Sequence, residues 1–404
     1  MAQAETRREL RVLHTVVSVG RESGGLGAVA LGLASELPRF GCDVDVWSLD
    51  SEEEARVAKE GWQLESRLQR FPCVGPRSLG YSPSLERSAG GAAGAVYDVL
   101  HQHSIWQGYS RATSRWRAAW RRPTVLAPHG TLKAYALARS AWKKWLALIC
   151  YERANLRAAS CLHALTSAEA ESMRRFGLRN PIAVIQNGVS SRWLGSVGRG
   201  PCFRAKCPAL GRRRILLFLS RVHPNKGLSL LLRAMAGIRG RLDGWCLVIA
   251  GPDEHGHTRE LRSLAESLGL SDLVEFVGPV YGQDKRDALA AADLFVLPTL
   301  SEALPIAVLE ALGAGVPVVT TRGVDGREIA EQGCGWWVDI SVDALAQGLA
   351  DALACPQSTL LDMGRKGRAL VAARYLWRHA AEKTARLYGW LLGRDPRPEF
   401  VNVV

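Results

Sequence analysis

The sequence has no pair of cysteines with the spacing of a zinc site or a redox motif. Nine cysteines are scattered over 404 residues, and none belongs to a Cys-x-x-Cys pair. An odd and dispersed set of this kind argues against a structural zinc centre and against a disulfide framework. We therefore interpret these cysteines as reduced thiols of a cytosolic protein, most of them in its core.

Long apolar runs are missing as well. No stretch of the sequence reaches the ~18 consecutive apolar residues that a membrane-spanning helix needs. The N-terminal segment has only a short apolar run, residues 12–19, which predicts a first β-strand rather than a signal peptide. We expect a cytoplasmic protein, with peripheral binding to the inner face of the membrane left open.

Acidic residues are the scarcer charged class. Asp and Glu number 39 against 52 Lys and Arg, which gives a net charge of +13. This excess suits an anionic partner, whether nucleic acid, a membrane surface or a phosphorylated small molecule, and does not choose among them. With 47% hydrophobic and 23% charged residues, the chain is neither disordered nor collagen-like nor a coiled coil.

Strand and helix patterns alternate along both halves of the chain. This alternation predicts the α/β class, with two Rossmann-like, doubly wound domains that face each other across a ligand-binding cleft. Within the first half, residues 132–158 are rich in Ala, Trp, Leu and Lys and are predicted to form one long helix. We predict an N-terminal domain over residues 1–195 and a C-terminal domain over 210–375. A Gly-, Pro- and Arg-rich break lies between them, and a final helical segment, 376–404, is expected to pack back toward the N-terminal domain.

The most specific motif is SEALPIAVLEALGAGVPVV, in which Glu302 and Glu310 are eight positions apart. Proline is favoured at the first helical position, so a helix is predicted to begin at Pro305. Glu302 then precedes the helix and Glu310 lies inside it, and the helix N-terminus between them suits a phosphate. Spacing alone leaves open a solvated Glu302 and a Glu310 paired with a nearby arginine.

Three shorter motifs follow predicted strands. In SRVHPNKG, Arg221 and Lys226 suit a diphosphate, although two exposed basic residues would look the same. In SGGLG, Gly24 and Gly25 permit close approach of a ligand, or form a plain turn. In APHGTL, His129 could donate to a sugar oxygen or handle a proton. HQHSIW lacks a carboxylate at metal spacing, and no metal site is predicted there.

Taken in their order along the chain, GGLG, PHGTL, SRVHPNKG and SEALPIAVLEALGAGVPVV resemble the motifs of the retaining GT-B-fold glycosyltransferases of family 4, the "glycosyl transferases group 1". TSAEAE and VIQNGV, found between the motifs already described, belong to the same resemblance. It covers almost the whole chain. It implies that the N-terminal domain, 1–195, binds the acceptor and that the C-terminal domain, 210–375, binds the nucleotide sugar. The last two motifs, SRVHPNKG and SEALPIAVLEALGAGVPVV, are the hardest to obtain by chance.

The resemblance implies roles for individual residues. Arg221 and Lys226 correspond to the basic pair that holds the donor diphosphate, and Glu310 to the residue that binds the nucleotide ribose. Glu302 corresponds to the residue that contacts hydroxyls of the donor sugar. His129 corresponds to the histidine close to the reacting centre. The remaining residues implied in donor binding are Gly24, Gly25, Asn187, Ala303, Leu304, Pro305 and Ile306.

The chain departs from the family pattern at two places. Many members have Phe-Gly where this chain has Leu304-Pro305, which changes the backbone that faces the sugar. The sugar-synthase branch has a lysine before its Gly-Gly pair, whereas Glu22-Ser23 stands here. A glycogen-synthase-like role is therefore disfavoured.

The resemblance implies a retaining, metal-independent hexosyltransferase without a cofactor. Its expected partners are a nucleotide-diphosphate sugar and a glycan or lipid-linked acceptor of cell-surface polysaccharide or lipopolysaccharide synthesis. A basic, tryptophan-rich first half adds an anionic membrane surface as a further candidate partner. Its tryptophans are Trp106, Trp116, Trp120, Trp142 and Trp145.

Other functions remain open at this point. A soluble acceptor would make the chain a disaccharide or sugar-phosphate synthase, and a nucleotide-sugar epimerase is a further enzymatic option. A basic nucleic-acid-binding protein without catalysis is the alternative from another class. No zinc module, reading helix or stacking sheet supports it, so we expect no nucleic-acid partner.

Overall fold

The computed structural model describes residues 8–20, 24–62, 67–195, 201–254 and 256–403. The chain divides into two compact units. Unit 1 comprises Met1–Gly188 together with Trp377–Val404, and unit 2 comprises Val189–Leu376. Each unit has its own mainly parallel sheet with helices, which confirms the predicted α/β class. The cleft between the two domains stays a prediction.

Unit 1 contains an eight-stranded sheet in the order β14-β7-β6-β5-β4-β1-β2-β3. All its neighbours are parallel except β14, which pairs antiparallel with β7. The strands are β1 (Leu10–Val16), β2 (Cys42–Ser48), β3 (Arg67–Arg70), β4 (Val99–His103), β5 (Thr124–Ala127), β6 (Cys161–Ala164), β7 (Ile182–Val184) and β14 (Val401–Asn402). The helices are α1 (Gly25–Glu36), α2 (Glu52–Trp62), α3 (Pro83–Gly90), α4 (Ala92–Ala95), α5 (Ser110–Trp120), α6 (Ala134–Ala138), α7 (Ala141–Ala147), α8 (Arg153–Arg157), α9 (Ser167–Arg175) and α18 (Trp377–Leu391).

The C-terminal helix α18 belongs to unit 1 because it packs on α1. The indole of Trp377 lies directly against Gly32, where a Cβ would overlap the ring. Trp377 is 3% exposed and Gly32 is buried. This contact ties the end of the chain to the first helix that follows β1.

Unit 2 contains a six-stranded, wholly parallel sheet in the order β10-β9-β8-β11-β12-β13. The strands are β8 (Arg214–Leu219), β9 (Trp245–Ala250), β10 (Val274–Gly278), β11 (Leu294–Leu297), β12 (Val318–Thr321) and β13 (Gly335–Val338). The helices are α10 (Pro201–Lys206), α11 (Leu228–Gly237), α12 (His257–Ser267), α13 (Gly282–Ala291), α14 (Ile306–Ala314), α15 (Arg327–Glu331), α16 (Val342–Ala354) and α17 (Gln357–Arg374). The central strands β8, β9 and β11 read as continuous apolar runs because helices cover both faces of a parallel sheet.

Two segments differ from the sequence-based expectation. Residues 132–158 were expected to form one long helix, but Ser140 takes a left-handed conformation with φ 49° and separates α6 from α7. The break expected between the domains instead packs in unit 2, where Trp193 and Phe203 belong to the apolar core. Their burial explains why unit 2 begins at Val189 rather than near residue 210.

Within the described part of the chain, no helix has both the length and the apolar character required to cross a bilayer.

Candidate active site

The loop after β8 carries the predicted basic pair of unit 2. A short turn, Pro224–Lys226, ends at Gly227, whose φ is 73°. A Cβ at Gly227 would overlap the carbonyl oxygen of Pro298, so glycine allows this turn to lie against the loop after β11. Asn225 fastens the two loops further, because its amide donates to the carbonyl of Ser301 at 3.1 Å.

Lys226 is buried, with 6% of its surface exposed, and its Nζ contacts Oε1 of Glu302. Burial, together with the nearby charge of Arg221 and against the opposing effect of Glu254, lowers the pKa of Lys226 to about 7. A neighbouring anion stabilises a buried ammonium group more than it stabilises the ammonium group of an exposed lysine. The two loops therefore bring Lys226 and Glu302 together.

Arg221 is exposed and forms an ion pair. Its guanidinium donates to both carboxylate oxygens of Glu254, at 3.1 and 2.9 Å. The sequence reading missed Glu254, although its place after β9, at the carboxyl end of the same sheet, was the available signal. A phosphate at Arg221 would compete with this carboxylate.

Helix α14 begins at Ile306, one residue later than predicted, with Pro305 at its N-cap in an extended conformation. Ala303 and Leu304 are buried before it, and the amide of Glu302 donates to the carbonyl of Gly323 at 2.7 Å. Glu302, which contacts Lys226, thus lies four positions before the first residue of α14, whose N-terminus is the positive end of a helix dipole.

Glu310 lies one turn inside α14 and is 6% exposed. Its partner is Lys285 on α13, with Nζ 2.5 Å from Oε2, rather than the arginine considered from the sequence. Lys285 also lies over the ring of Trp193, 5.7 Å from its centroid. No sequence pattern marked Lys285, because the contact depends on how α13 packs on α14.

In unit 1 the Gly-rich turn and Asn187 lie at helix and strand ends. Gly24 has a φ of 60° and immediately precedes α1, which begins at Gly25, while Ser23 lies outside the described residues. Asn187 follows β7 and is 7% exposed, and its Oδ1 has no hydrogen-bond partner within the described chain. A buried amide oxygen of this kind is an acceptor for a ligand hydroxyl.

His129 follows β5 in a left-handed conformation with φ 54°. The next amide, that of Gly130, donates to Oε1 of the buried Glu169 at 2.5 Å, which holds the turn in place. Nε2 of His129 lies 3.1 Å from Nδ1 of His103. Desolvation, and to a smaller extent the nearby His163, lower the pKa of His129 to about 3, so its imidazole is neutral at pH 7.

The sequence reading also missed a buried group of polar rings behind His129. His14, His101 and His103 lie on β1 and β4, and they pack with His163 and with Tyr388 of α18. Strand alternation was a usable signal for His101 and His103, since residues two apart share a face. Tyr388 carried no signal, because it is 374 residues from its partner His14.

Two protein-family models match the chain, one within each unit. The "Glycosyl transferases group 1" model matches residues 203–370, within unit 2. The "Glycosyl transferase 4-like domain" model matches residues 24–188, within unit 1. The chain belongs to the GT-B-fold glycosyltransferases of family 4. The family resemblance drawn from the motifs is confirmed, and with it the transfer of a sugar from a nucleotide donor.

Two relatives of this glycosyltransferase are named as GDP-mannose-dependent mannosyltransferases, and others are D-inositol 3-phosphate glycosyltransferases. It is 26% identical over 396 residues to the GDP-mannose:cellobiosyl-diphosphopolyprenol alpha-mannosyltransferase of Komagataeibacter xylinus, covering 95% of this chain and 94% of the relative. It is 36% identical over 185 residues to the GDP-mannose-dependent alpha-(1-6)-phosphatidylinositol monomannoside mannosyltransferase of Mycobacterium tuberculosis, over 44% of this chain and 47% of the relative.

A solved structure supports the fold of this glycosyltransferase. Anabaena HepE in complex with UDP and glucose is 19% identical, with a TM-score of 0.78, and the match covers 95% of this chain and 100% of HepE. At this identity the likeness establishes the fold.

Proposed function

We propose that this glycosyltransferase moves a hexose from a nucleotide-diphosphate sugar to a lipid-linked acceptor in the synthesis of a cell-surface polysaccharide or glycolipid. The observation that carries the proposal is the buried Lys226 beside Glu302 and the start of α14. A buried lysine and the positive end of a helix suit a diphosphate that gains charge as it leaves. Arg221 provides a second cation on the same loop.

Roles for the other residues follow from their surroundings. Glu310 is held by Lys285 and offers carboxylate oxygens to the vicinal hydroxyls of a ribose. Glu302 is the proposed partner of the donor sugar, and the buried Ala303 and Leu304 shape the backbone between them. In unit 1, His129 and Asn187 are proposed to contact ligand hydroxyls, with Gly24 and Gly25 leaving room for the ligand.

We further propose that transfer retains the anomeric configuration and needs no metal ion. Lys226, Arg221 and the α14 N-terminus supply positive charge of the kind that a divalent cation supplies in other transferases. The departing phosphate would accept the proton of the acceptor hydroxyl on the same face of the sugar. The acceptor oxygen then bonds to the anomeric carbon as the bond to the phosphate oxygen breaks.

A lipid-linked acceptor is favoured by an exposed apolar stripe on unit 1. Trp142, Trp145, Leu146 and Ile149 follow the i, i+3, i+4, i+7 spacing of one helix face, and between 50% and 68% of each side chain is exposed. Of the five tryptophans noted in the sequence, Trp116 is fully buried, and Trp106 and Trp120 are half-buried. The stripe therefore narrows the expected membrane contact to one face.

Basic side chains flank the stripe. Lys143 lies over the ring of Trp142, 5.5 Å from its centroid, and Lys144 and Arg139 are close in sequence. Tryptophan with lysine and arginine is the composition that binds the interface of an anionic bilayer. We propose that this face rests on anionic lipid, where polyprenol- or phosphatidylinositol-linked acceptors such as those of the named relatives are held.

The activity is tested by incubating purified protein with a panel of GDP-, UDP- and ADP-sugars, each with a polyprenyl-diphosphate glycan, a phosphatidylinositol glycoside or a soluble sugar phosphate. We expect one donor to transfer to a lipid-linked acceptor, with EDTA without effect and the anomeric configuration of the donor kept in the product by NMR. Preference for the soluble sugar phosphate would overturn the acceptor assignment. Loss of activity with EDTA, or an inverted product, would overturn the mechanism.

The membrane face is tested by flotation with vesicles of phosphatidylcholine alone or with phosphatidylglycerol. We expect salt-sensitive binding to the anionic vesicles only, which Trp142→Ala with Trp145→Ala reduces about tenfold or more. Leu361→Ala, at a 54% exposed leucine of unit 2, is the matched control. Absence of binding, or dimerisation through the stripe by analytical ultracentrifugation, would contradict the proposal.

A further inference from the structure

Five histidines and one tyrosine form a continuous chain of hydrogen bonds inside unit 1, here called the imidazole chain. It runs from the carbonyl of Ile185 to His129. Its contacts are Ile185 O to His163 Nε2 at 2.8 Å, His163 Nδ1 to His101 Nε2 at 3.3 Å, His101 Nδ1 to the Tyr388 hydroxyl at 2.7 Å, that hydroxyl to His14 Nε2 at 3.0 Å, His14 Nδ1 to His103 Nε2 at 3.2 Å, and His103 Nδ1 to His129 Nε2 at 3.1 Å.

All five rings are neutral near pH 7. Burial lowers the pKa of His14 to about 3 and that of His163 to about 4, and it holds the pKa values of His101 and His103 well below their ordinary range. The pKa of His129 is lowered to about 3. A neutral imidazole has one N–H donor and one lone-pair acceptor, so each ring of the chain donates through one nitrogen and accepts through the other.

One end of the chain fixes the direction of every bond. The carbonyl of Ile185 only accepts, so His163 donates to it through Nε2 and accepts through Nδ1. His101 must then donate to His163 from Nε2, which leaves its Nδ1 to accept from the Tyr388 hydroxyl. The same rule propagates through the second half of the chain.

Because the Tyr388 hydroxyl has given its proton to His101, its oxygen accepts from Nε2 of His14. His14 then accepts through Nδ1 from Nε2 of His103, and His103 accepts through Nδ1 from Nε2 of His129. Every histidine in the chain is therefore the Nε2–H tautomer. His129 is left with its lone pair on Nδ1.

His129 is the one member of the imidazole chain that is not fully buried. Its ring orientation is fixed twice, by the bond to His103 and by the left-handed backbone that the Gly130–Glu169 hydrogen bond supports. Left-handed non-glycine residues are costly and persist where the surroundings impose them. The accessible end of the chain is thus a positioned acceptor.

We propose that the imidazole chain sets the tautomer of His129, so that this residue accepts a hydrogen bond from a ligand hydroxyl through Nδ1 and does not donate one. Tyr388 lies on α18, in the C-terminal part of the polypeptide, and is the positioning residue that connects the two halves of the imidazole chain. The inference rests on the proposed function only for the identity of the hydroxyl, which would belong to the sugar. Of the two roles considered for His129 from the sequence, donation to a sugar oxygen is thereby removed.

A buried metal ion is the competing interpretation of the same rings. His14, His101 and His103 offer nitrogens that all lie within 4.8 Å of one another. In the imidazole chain a proton lies between Nε2 of His103 and Nδ1 of His14, so these two nitrogens cannot both offer lone pairs to a divalent ion. The fully buried cluster also lacks a carboxylate among these three ligands to offset the charge.

The tautomers are tested directly on the wild-type protein. Long-range ¹H–¹⁵N correlation spectra of protein labelled with ¹⁵N-histidine distinguish the two neutral tautomers, and single His→Gln variants assign the signals. We expect the Nε2–H form for all five rings at pH 7, and no stoichiometric metal by mass spectrometry. An Nδ1–H signal for His129, or one equivalent of bound metal, would overturn the proposal.

Tyr388→Phe tests the positioning role, because it removes only the hydroxyl that joins the two halves. We expect an Nδ1–H population to appear at His129, and kcat/KM for transfer to fall about tenfold once a donor is known. Tyr375→Phe, which removes a buried tyrosine hydroxyl bonded to Glu328 in unit 2, should leave the histidine spectrum unchanged. An unchanged His129 signal in a folded Tyr388→Phe variant would refute the role.

The spectra need no substrate. A failed transferase assay therefore leaves the tautomer result standing, and an Nδ1–H His129 fails this inference without touching the proposed function.

Discussion

The polar side chains at the candidate sites of the two units differ in their charge. In unit 2 the polar side chains are charged and paired, as Lys226 is with Glu302 and Lys285 with Glu310. In unit 1 they are imidazoles that burial keeps neutral, ending at His129. Ion pairs can be exchanged for a charged ligand, whereas a neutral hydrogen-bond chain recognises hydroxyl groups by direction. The difference supports the proposal that the diphosphate binds at unit 2 and that His129 of unit 1 accepts a hydrogen bond from a sugar hydroxyl.

The largest expected difference between the two units is in how acid affects their stability. The buried histidines of unit 1 have folded pKa values below the unfolded value of 6.5, so below that pH the unfolded state binds more protons and stability falls. At pH 5 the lowered pKa values of His14 and His163 each reduce the free energy of unfolding by about 2 kcal/mol. The lowered pKa of Lys226 affects stability in a different pH range. It makes the free energy of unfolding increase with pH only between about pH 7 and pH 10.5.

Hydrogen exchange with mass spectrometry at pH 7 and pH 5, corrected for intrinsic rates, should show the strands of unit 1 losing protection before those of unit 2. His163→Gln keeps a donor for the carbonyl of Ile185 but does not titrate. In this variant unit 1 should therefore lose less protection between pH 7 and pH 5. Equal loss of protection in the two units would contradict this assignment of the pH dependence.

The second difference lies in charge at the proposed diphosphate site. Lys226→Met removes a buried cation while keeping a side chain of similar length, and we expect kcat/KM to fall by about 10²–10³. Lys206→Met removes an exposed lysine of the same unit that pairs with Asp284, and should change nothing. Steady-state kinetics with the donor identified by the panel measures both. Full activity in Lys226→Met would remove the proposed role.

The same contrast explains what could be predicted from sequence. The unit 2 residues lie in two continuous motifs, so loop and helix rules placed Arg221, Lys226, Glu302 and Glu310 before the fold was known. Their partners Glu254 and Lys285 come from other elements, and pairing between elements depends on packing that local patterns do not encode.

Unit 1 was less predictable for the same reason. Its sheet brings β1, β4 and β6 together in an order that differs from the order in the sequence, and α18 then adds Tyr388 from the end of the chain. The long helix predicted over residues 132–158 also failed, since Ser140 adopts a conformation that helix propensity does not anticipate. The α/β class survived because strand and helix periodicity repeats many times along the chain.

A smaller effect is expected at the proposed ribose contact. Glu310→Gln removes a charged acceptor and leaves Lys285 without its carboxylate, so affinity for the nucleotide should fall about tenfold. Isothermal titration with GDP and UDP measures the Kd. Glu331→Gln, at an exposed glutamate of α15, serves as the control. Equal affinities in Glu310→Gln and wild type would contradict the ribose role.

The smallest effect, and the one most specific to unit 2, is proton uptake on donor binding. With a pKa of about 7 in the free protein, Lys226 is largely neutral at pH 8, and a bound diphosphate restores its charge. Binding at pH 8 should therefore take up close to one proton, whereas at pH 6 Lys226 is already charged and takes up almost none.

Titration calorimetry in two buffers of different ionisation enthalpy measures the proton number. A nucleotide sugar is the ligand, because its diphosphate does not titrate in this range. Lys226→Met should abolish the uptake, and uptake that persists in this variant would place the titrating group elsewhere, outside the ion-paired site that distinguishes unit 2 from unit 1.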